Sequence, residues 1–69
     1  MNTDELIFVV VKGQNNALTA IEGNIGIVAF GTNIAEIRNA ILVKVQEYFN
    51  GKFRGEIRIR RFKDIVINI

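Results

Sequence analysis

The chain predicts an α+β fold, a two-layer βββαβ sandwich with one helix on a mainly antiparallel sheet and a possible extra terminal strand. Three observations predict it. Three short apolar runs rich in Val and Ile come before residue 31. One stretch, Gly31–Gly51, places Ile34, Ile37, Ile41, Val45 and Tyr48 at spacings of three and four, the stripe of an amphipathic helix. Beyond it, Glu56-Ile57-Arg58-Ile59-Arg60 alternates charged and apolar residues, as a strand with one wet face does.

Each element has a local reason. Leu6–Lys12 is β-branched and aromatic with no polar alternation, so both of its faces want cover and it belongs at the centre of a sheet. Gly13-Gln14-Asn15-Asn16 is a turn signal, because Gly and Asn adopt positive φ cheaply. Ala17–Glu22 returns antiparallel. Gly23-Asn24 suits a two-residue hairpin turn, and Ile25–Phe30 is the expected third strand. Asn33 with Glu36 three residues on fits a capping box, in which Glu36 would reach back to the N–H of the cap. Gly51 supplies a left-handed residue to close the helix. Lys52–Gly55 is a polar linker. Arg61 disturbs the alternation of the fourth strand, and a bulge near Arg60–Arg61 would restore a consistent inner face. Residues 65–69, Ile-Val-Ile-Asn-Ile, are extended and could continue that strand or form a fifth.

The 69 residues are expected to form a single domain spanning 1–69. A chain of this size buries only ~60% of its unfolded surface. It contains no Cys and no His, so disulfides and the usual zinc ligands are excluded as staples. Packing must supply the stability, and a 49% hydrophobic share favours self-association. A helix of ~17 residues, ~25 Å long, covers one face of a four-stranded sheet and not both. The uncovered face is therefore expected to meet a second copy, in a homodimer or higher homo-oligomer. The first apolar run, six residues from Leu6 to Val11, is far short of a membrane span, and the chain is expected to be cytoplasmic.

Catalysis fails on inventory. Without His, Cys or Ser no nucleophile–base pair of the usual kinds can be assembled, and no phosphate-binding loop occurs. The scattered carboxylates have plainer explanations as caps, turns and solvated faces. The expectation is a protein that is not an enzyme and uses no cofactor or metal. Charge is uneven, however. Residues 1–49 carry three basic and five acidic side chains, and residues 50–69 carry six and two. Arg58, Arg60, Arg61 and Lys63 are the candidate binding residues. They could contact nucleic acid or an acidic protein. The plainer account is a charged edge strand that resists edge-to-edge pairing. It is favoured here, because no exposed aromatics interleave with the cations for base stacking. Phe8, Phe30, Tyr48, Phe49 and Phe53 are all expected in or at the rim of the core.

With this order of elements, certain residues become comparable with a known family. Phe30-Gly31-Thr32-Asn33-Ile34-Ala35-Glu36-Ile37-Arg38 resembles the Q-G-D-T-x-E-E-[LA]-x junction of HicB-like antitoxin domains. Gly26 and Gly31 are similar to the family's G-C-x-x-x-G pattern, and Tyr48-Phe49 to the aromatic pair that closes its helix. Ile57-Arg58-Ile59 through Asp64-Ile65-Val66 resembles the I-R-L…R-D-E-V ending of short, stand-alone members. The resemblance implies a compact oligomeric βββαβ domain that neutralises a small mRNA interferase, and it supplies no catalytic residue. The chain departs from the pattern in three ways. Asn15-Asn16-Ala17 stands where G-G-Y commonly opens the second strand. Leu42 and Val43 occupy helix positions where relatives tend to carry charge. No DNA-binding module follows the domain up to Ile69, so the resemblance does not carry operator binding over, and an orphan oligomeric domain of unknown role, unlinked to any toxin, is the alternative.

Overall fold

A computed structural model describes residues 4–61 and 67–69 of the chain. Its elements are β1 (Asp4–Lys12), a short 3₁₀ turn (Gln14–Asn16), β2 (Leu18–Glu22), β3 (Val28–Gly31), α1 (Ile34–Tyr48) and β4 (Gly55–Arg61). The strands form one sheet in the order β3-β2-β1-β4. β1 pairs antiparallel with β2, which pairs antiparallel with β3, while β4 runs parallel to β1. The fold is α+β, with β1 inside the sheet as its two-sided apolar pattern requires. Asn15 and Asn16 turn the chain between β1 and β2 at positive φ.

The face of the sheet under the helix is the core. Leu6, Phe8 and Val10 of β1, Ala20 of β2 and Ala29 of β3 meet Ile37, Ile41 and Val45 of α1, with Ile27 and Phe53 closing the ends. Phe8, Ile37 and Val45 are completely buried. α1 packs mainly over β3 and β2. Small residues allow this approach. A Cβ on Gly31 would stand 3.0 Å from Glu36 Cβ and 3.1 Å from Ile37 N.

That close approach corrects one expectation. Because Ala29 and Gly31 must face the helix, strand alternation turns Phe30 to the opposite side, where it is 67% exposed. Tyr48 is 55% exposed as well, so the buried stripe ends at Val45. Tyr48 sits in the last helical turn beside Ile25–Val28, and the half-buried Phe49 packs on Phe53 in its stead, ring centroids 5.3 Å apart.

The helix ends follow their signals with two changes. Asn33 Oδ1 accepts from the Glu36 N–H at 2.9 Å, as a cap should. Glu36, however, accepts from Thr32 rather than from Asn33: both the N–H and the hydroxyl of Thr32 donate to Oε1 at 2.7 Å. These bonds to the ionised form, the hydroxyl's foremost, hold the Glu36 carboxyl below its ordinary value of 4.5. At the other end Asn50 (φ 55°) takes the first left-handed position and Gly51 (φ 75°) the next. The Gly51 N–H reaches Gln46 O at 2.7 Å, the long bond of a Schellman closure.

The two-residue hairpin after β2 does not form. The connection runs from Gly23 to Ile27, and β3 starts at Val28 rather than Ile25. Glu22 is the cause. It faces the helix side opposite Phe8 and is only 1% exposed. Its Oε1 accepts from the N–H groups of Asn24 (2.9 Å) and Ile25 (2.7 Å), wrapping the loop around the carboxylate. Gly26, at φ 81°, then turns the chain back and donates its N–H to Glu22 O. A residue expected on a solvated turn is a buried anchor.

Candidate protein interface

Among the described residues no helix lies on the second face of the sheet. Period two places Ile7, Val9 and Val11 of β1, Ile21 of β2, and Val28 and Phe30 of β3 on it together, with Thr19 across from Phe30. In register, Ile21 stands between Val9 and Val28, which makes the patch contiguous across three strands. Val11, Ile21, Val28 and Phe30 are exposed, while Ile7 and Val9 are half-buried by their neighbours alone. An apolar sheet surface of this extent, roughly 15 Å across three strands at ~4.8 Å spacing, is what a protein partner covers.

β4 forms the charged margin of this face. It stays in constant register with β1, from Asp4 opposite Gly55 to Val10 opposite Arg61. There is consequently no bulge at Arg60–Arg61. Alternation continues unbroken, placing Glu56, Arg58 and Arg60 on the open face and Ile57, Ile59 and Arg61 on the helix side. Ile57 and Ile59 remain half-buried there.

Of the four cations singled out from the sequence, the three that are described do not share one face. Arg58 and Arg60 share the open face. Arg61 points to the other side, in register with the buried Val10. Lys63 lies outside the described residues. Arg58 is also engaged: its Nε donates to Glu5 Oε2 at 2.9 Å, across the parallel β1–β4 pair. Sequence inspection finds the Arg58–Arg60 pair from alternation but not Glu5, which is brought near by pairing of strands 53 residues apart. It also misses Phe30, although Ala20, Ala29 and Gly31 mark by their small size the side on which the helix lies.

Besides the open face, a groove of about 150 Å³ runs between α1 and β4, lined by Arg38, Ile41, Leu42, Ile57 and Ile59. Among the described residues no group of three or more acidic side chains is placed to hold a metal ion. No helix among them is long and apolar enough to cross a membrane.

No family model, curated protein or solved structure matches the chain.

Proposed function

We propose that this chain is a non-enzymatic binding domain that works by covering its open sheet face with another protein, in the manner of a HicB-type antitoxin sequestering a small mRNA-interferase-like partner in the cytoplasm. The observation that carries this is the contiguous apolar patch from β1 to β3, with Phe30 standing out of it at 67% exposure. A phenylalanine held in that position by a rigid sheet is an anchor of the kind that dominates protein interfaces. The resemblance of Phe30–Arg38 to the antitoxin junction supports the choice of partner class. The reading includes self-association, because so small a domain with two apolar surfaces gains stability by pairing.

Nucleic-acid binding through Arg58, Arg60, Arg61 and Lys63 is disfavoured by the site itself. Arg61 faces away from the first two, and Arg58 is neutralised by Glu5. The deciding experiment is a search for a small protein encoded beside this chain and co-expression with it. We expect co-purification and rescue of growth from its toxicity, and loss of both in Phe30→Glu. Absence of rescue, or rescue unaffected by Phe30→Glu, overturns the proposal.

A further inference from the structure

We infer that two copies of this chain pair through the free edges of β4, antiparallel and centred on Arg58, joining their sheets into one eight-stranded sheet. The inference rests on the reading of the chain as self-associating, but assigns that contact to the strand edge and leaves the open faces free for the partner.

β4 is the longer of the two edge strands, seven residues against four in β3, and among the described residues only β1 pairs with it. Among the described residues nothing pairs with its outer edge, whose backbone groups suffice for about six to eight hydrogen bonds with a second seven-residue strand. A two-fold axis perpendicular to the sheet keeps open face with open face. Residues directly opposite must then have numbers of equal parity, which removes half of the registers.

Arg58 is the midpoint of Gly55–Arg61, so centring there lets all seven residues pair. In that register Glu56 stands opposite Arg60 of the second copy, and Arg60 opposite its Glu56. Two oppositely charged cross-strand pairs form on the open face. Arg58 meets its own symmetry mate, but each is already held by Glu5 of its own chain. Moving the centre to Ile59 sets Arg58 against Arg60 twice and leaves Glu56 without a β4 partner. Centring on Ile57 shortens the pairing to five β4 residues and sets Arg60 against Arg54; it pairs Glu56 with Arg58, but Arg58 is already held by Glu5. Charge order thus penalises the Ile59 register, while strand length, Arg54 and the prior engagement of Arg58 count against the Ile57 register, leaving the Arg58-centred edge as the fully paired, self-complementary one.

The helix side agrees independently. With Arg58 central, Ile57 faces Ile59 of the second copy on both sides of the axis. These are the half-buried isoleucines that line the groove between α1 and β4, together with the exposed Leu42. Pairing joins the two grooves across the axis and gives those side chains apolar neighbours.

Sedimentation equilibrium over a wide concentration range tests this with four proteins. The wild type is expected to approach twice the 7.8 kDa chain mass at roughly micromolar concentration. Glu56→Arg alone sets like charges opposite, as does Arg60→Glu alone, and each is expected to weaken association about tenfold or more. The double variant Glu56→Arg/Arg60→Glu restores both pairs with their signs exchanged and is expected to return close to wild-type affinity. Both positions are exposed, so circular dichroism should show an unchanged fold. A double variant that stays as weak as the singles overturns the register. Phe30→Glu separates the two surfaces. If it dissociates the dimer while the charge variants do not, self-association stands and the edge contact is wrong. A wild type that is monomeric throughout overturns the edge contact outright, whereas loss of toxin rescue in Phe30→Glu reports on the binding reading alone.

Discussion

The two faces of one sheet are built from the same residue types and have opposite fates. On the helix side, Leu6, Phe8 and Val10 alternate with small partners, Ala20 and Ala29, and the helix fills the space above them. On the open side Ile7, Val9 and Val11 alternate with large ones, Ile21, Val28 and Phe30, and no element of the described chain lies over them. The difference is one of side-chain size. Small residues at 20, 29 and 31 let α1 approach, and large residues on the other parity make a raised surface that no described element covers. A strand apolar on both sides is therefore a sign of two interfaces, one intramolecular and one available.

Phe8 and Phe30 are the pair of residues that breaks or upholds this contrast most sharply. Phe8→Ala should cost about 3–5 kcal/mol in urea unfolding, since its ring is fully buried among β2, β4 and α1. That is enough to unfold a domain of this size outright. Phe30→Ala, measured the same way in dilute solution, should cost less than about 1 kcal/mol and yet weaken partner binding. Equal losses at the two positions would mean that the open face is core after all.

Gly31 tests how closely the helix must lie. Gly31→Ala drives a methyl into Glu36 Cβ and Ile37 N, and should destabilise by about 1–3 kcal/mol without altering the open face. Glu22 tests the loop that joins the two sides. Glu22→Ala strands two N–H groups against a buried space and should cost about 1–3 kcal/mol, while Glu22→Gln keeps an acceptor in place and should cost less. Thermal melts of the pair distinguish a carboxylate anchor from mere filling of volume.

The smallest effects belong to the exposed charges. The Glu36 carboxyl is lowered by its Thr32 bonds, so its contribution to the cap is present above the ordinary carboxylate range and is lost as pH falls through the lowered value. Glu36→Gln should flatten that acid limb in a pH series of melting temperatures by lowering neutral-pH stability slightly while leaving acid-pH stability nearly unchanged. Arg58→Ala should cost under about 1 kcal/mol, because its bridge to Glu5 is solvent-exposed.

Much of the fold is legible in the sequence because local chemistry and tertiary packing agree. Asn33 caps, Gly51 is left-handed at the helix end, and the two-sided apolar run of β1 does lie inside the sheet. Where they diverge, packing prevails. Nothing local distinguishes Phe30 as outward; the requirement comes from Gly31 under the helix. Nothing local buries Glu22 either, since a Glu before Gly-Asn reads as a turn residue until the loop N–H groups close on it. For the site, alternation was enough to bring Arg58 and Arg60 together. Their separation from Arg61 follows from an unbroken register that the supposed bulge obscured.

The contrast between the faces is tested most directly by methyl NMR on Ile- and Val-labelled chain titrated with any small toxin-like protein found to be encoded beside it. The open-face methyls of Ile7, Val9, Val11, Ile21 and Val28 should shift or broaden, while Val10, Ile37, Ile41 and Val45 stay in place. Shifts confined to the buried set, or no shifts in either, would contradict the assignment of the open face as the binding surface.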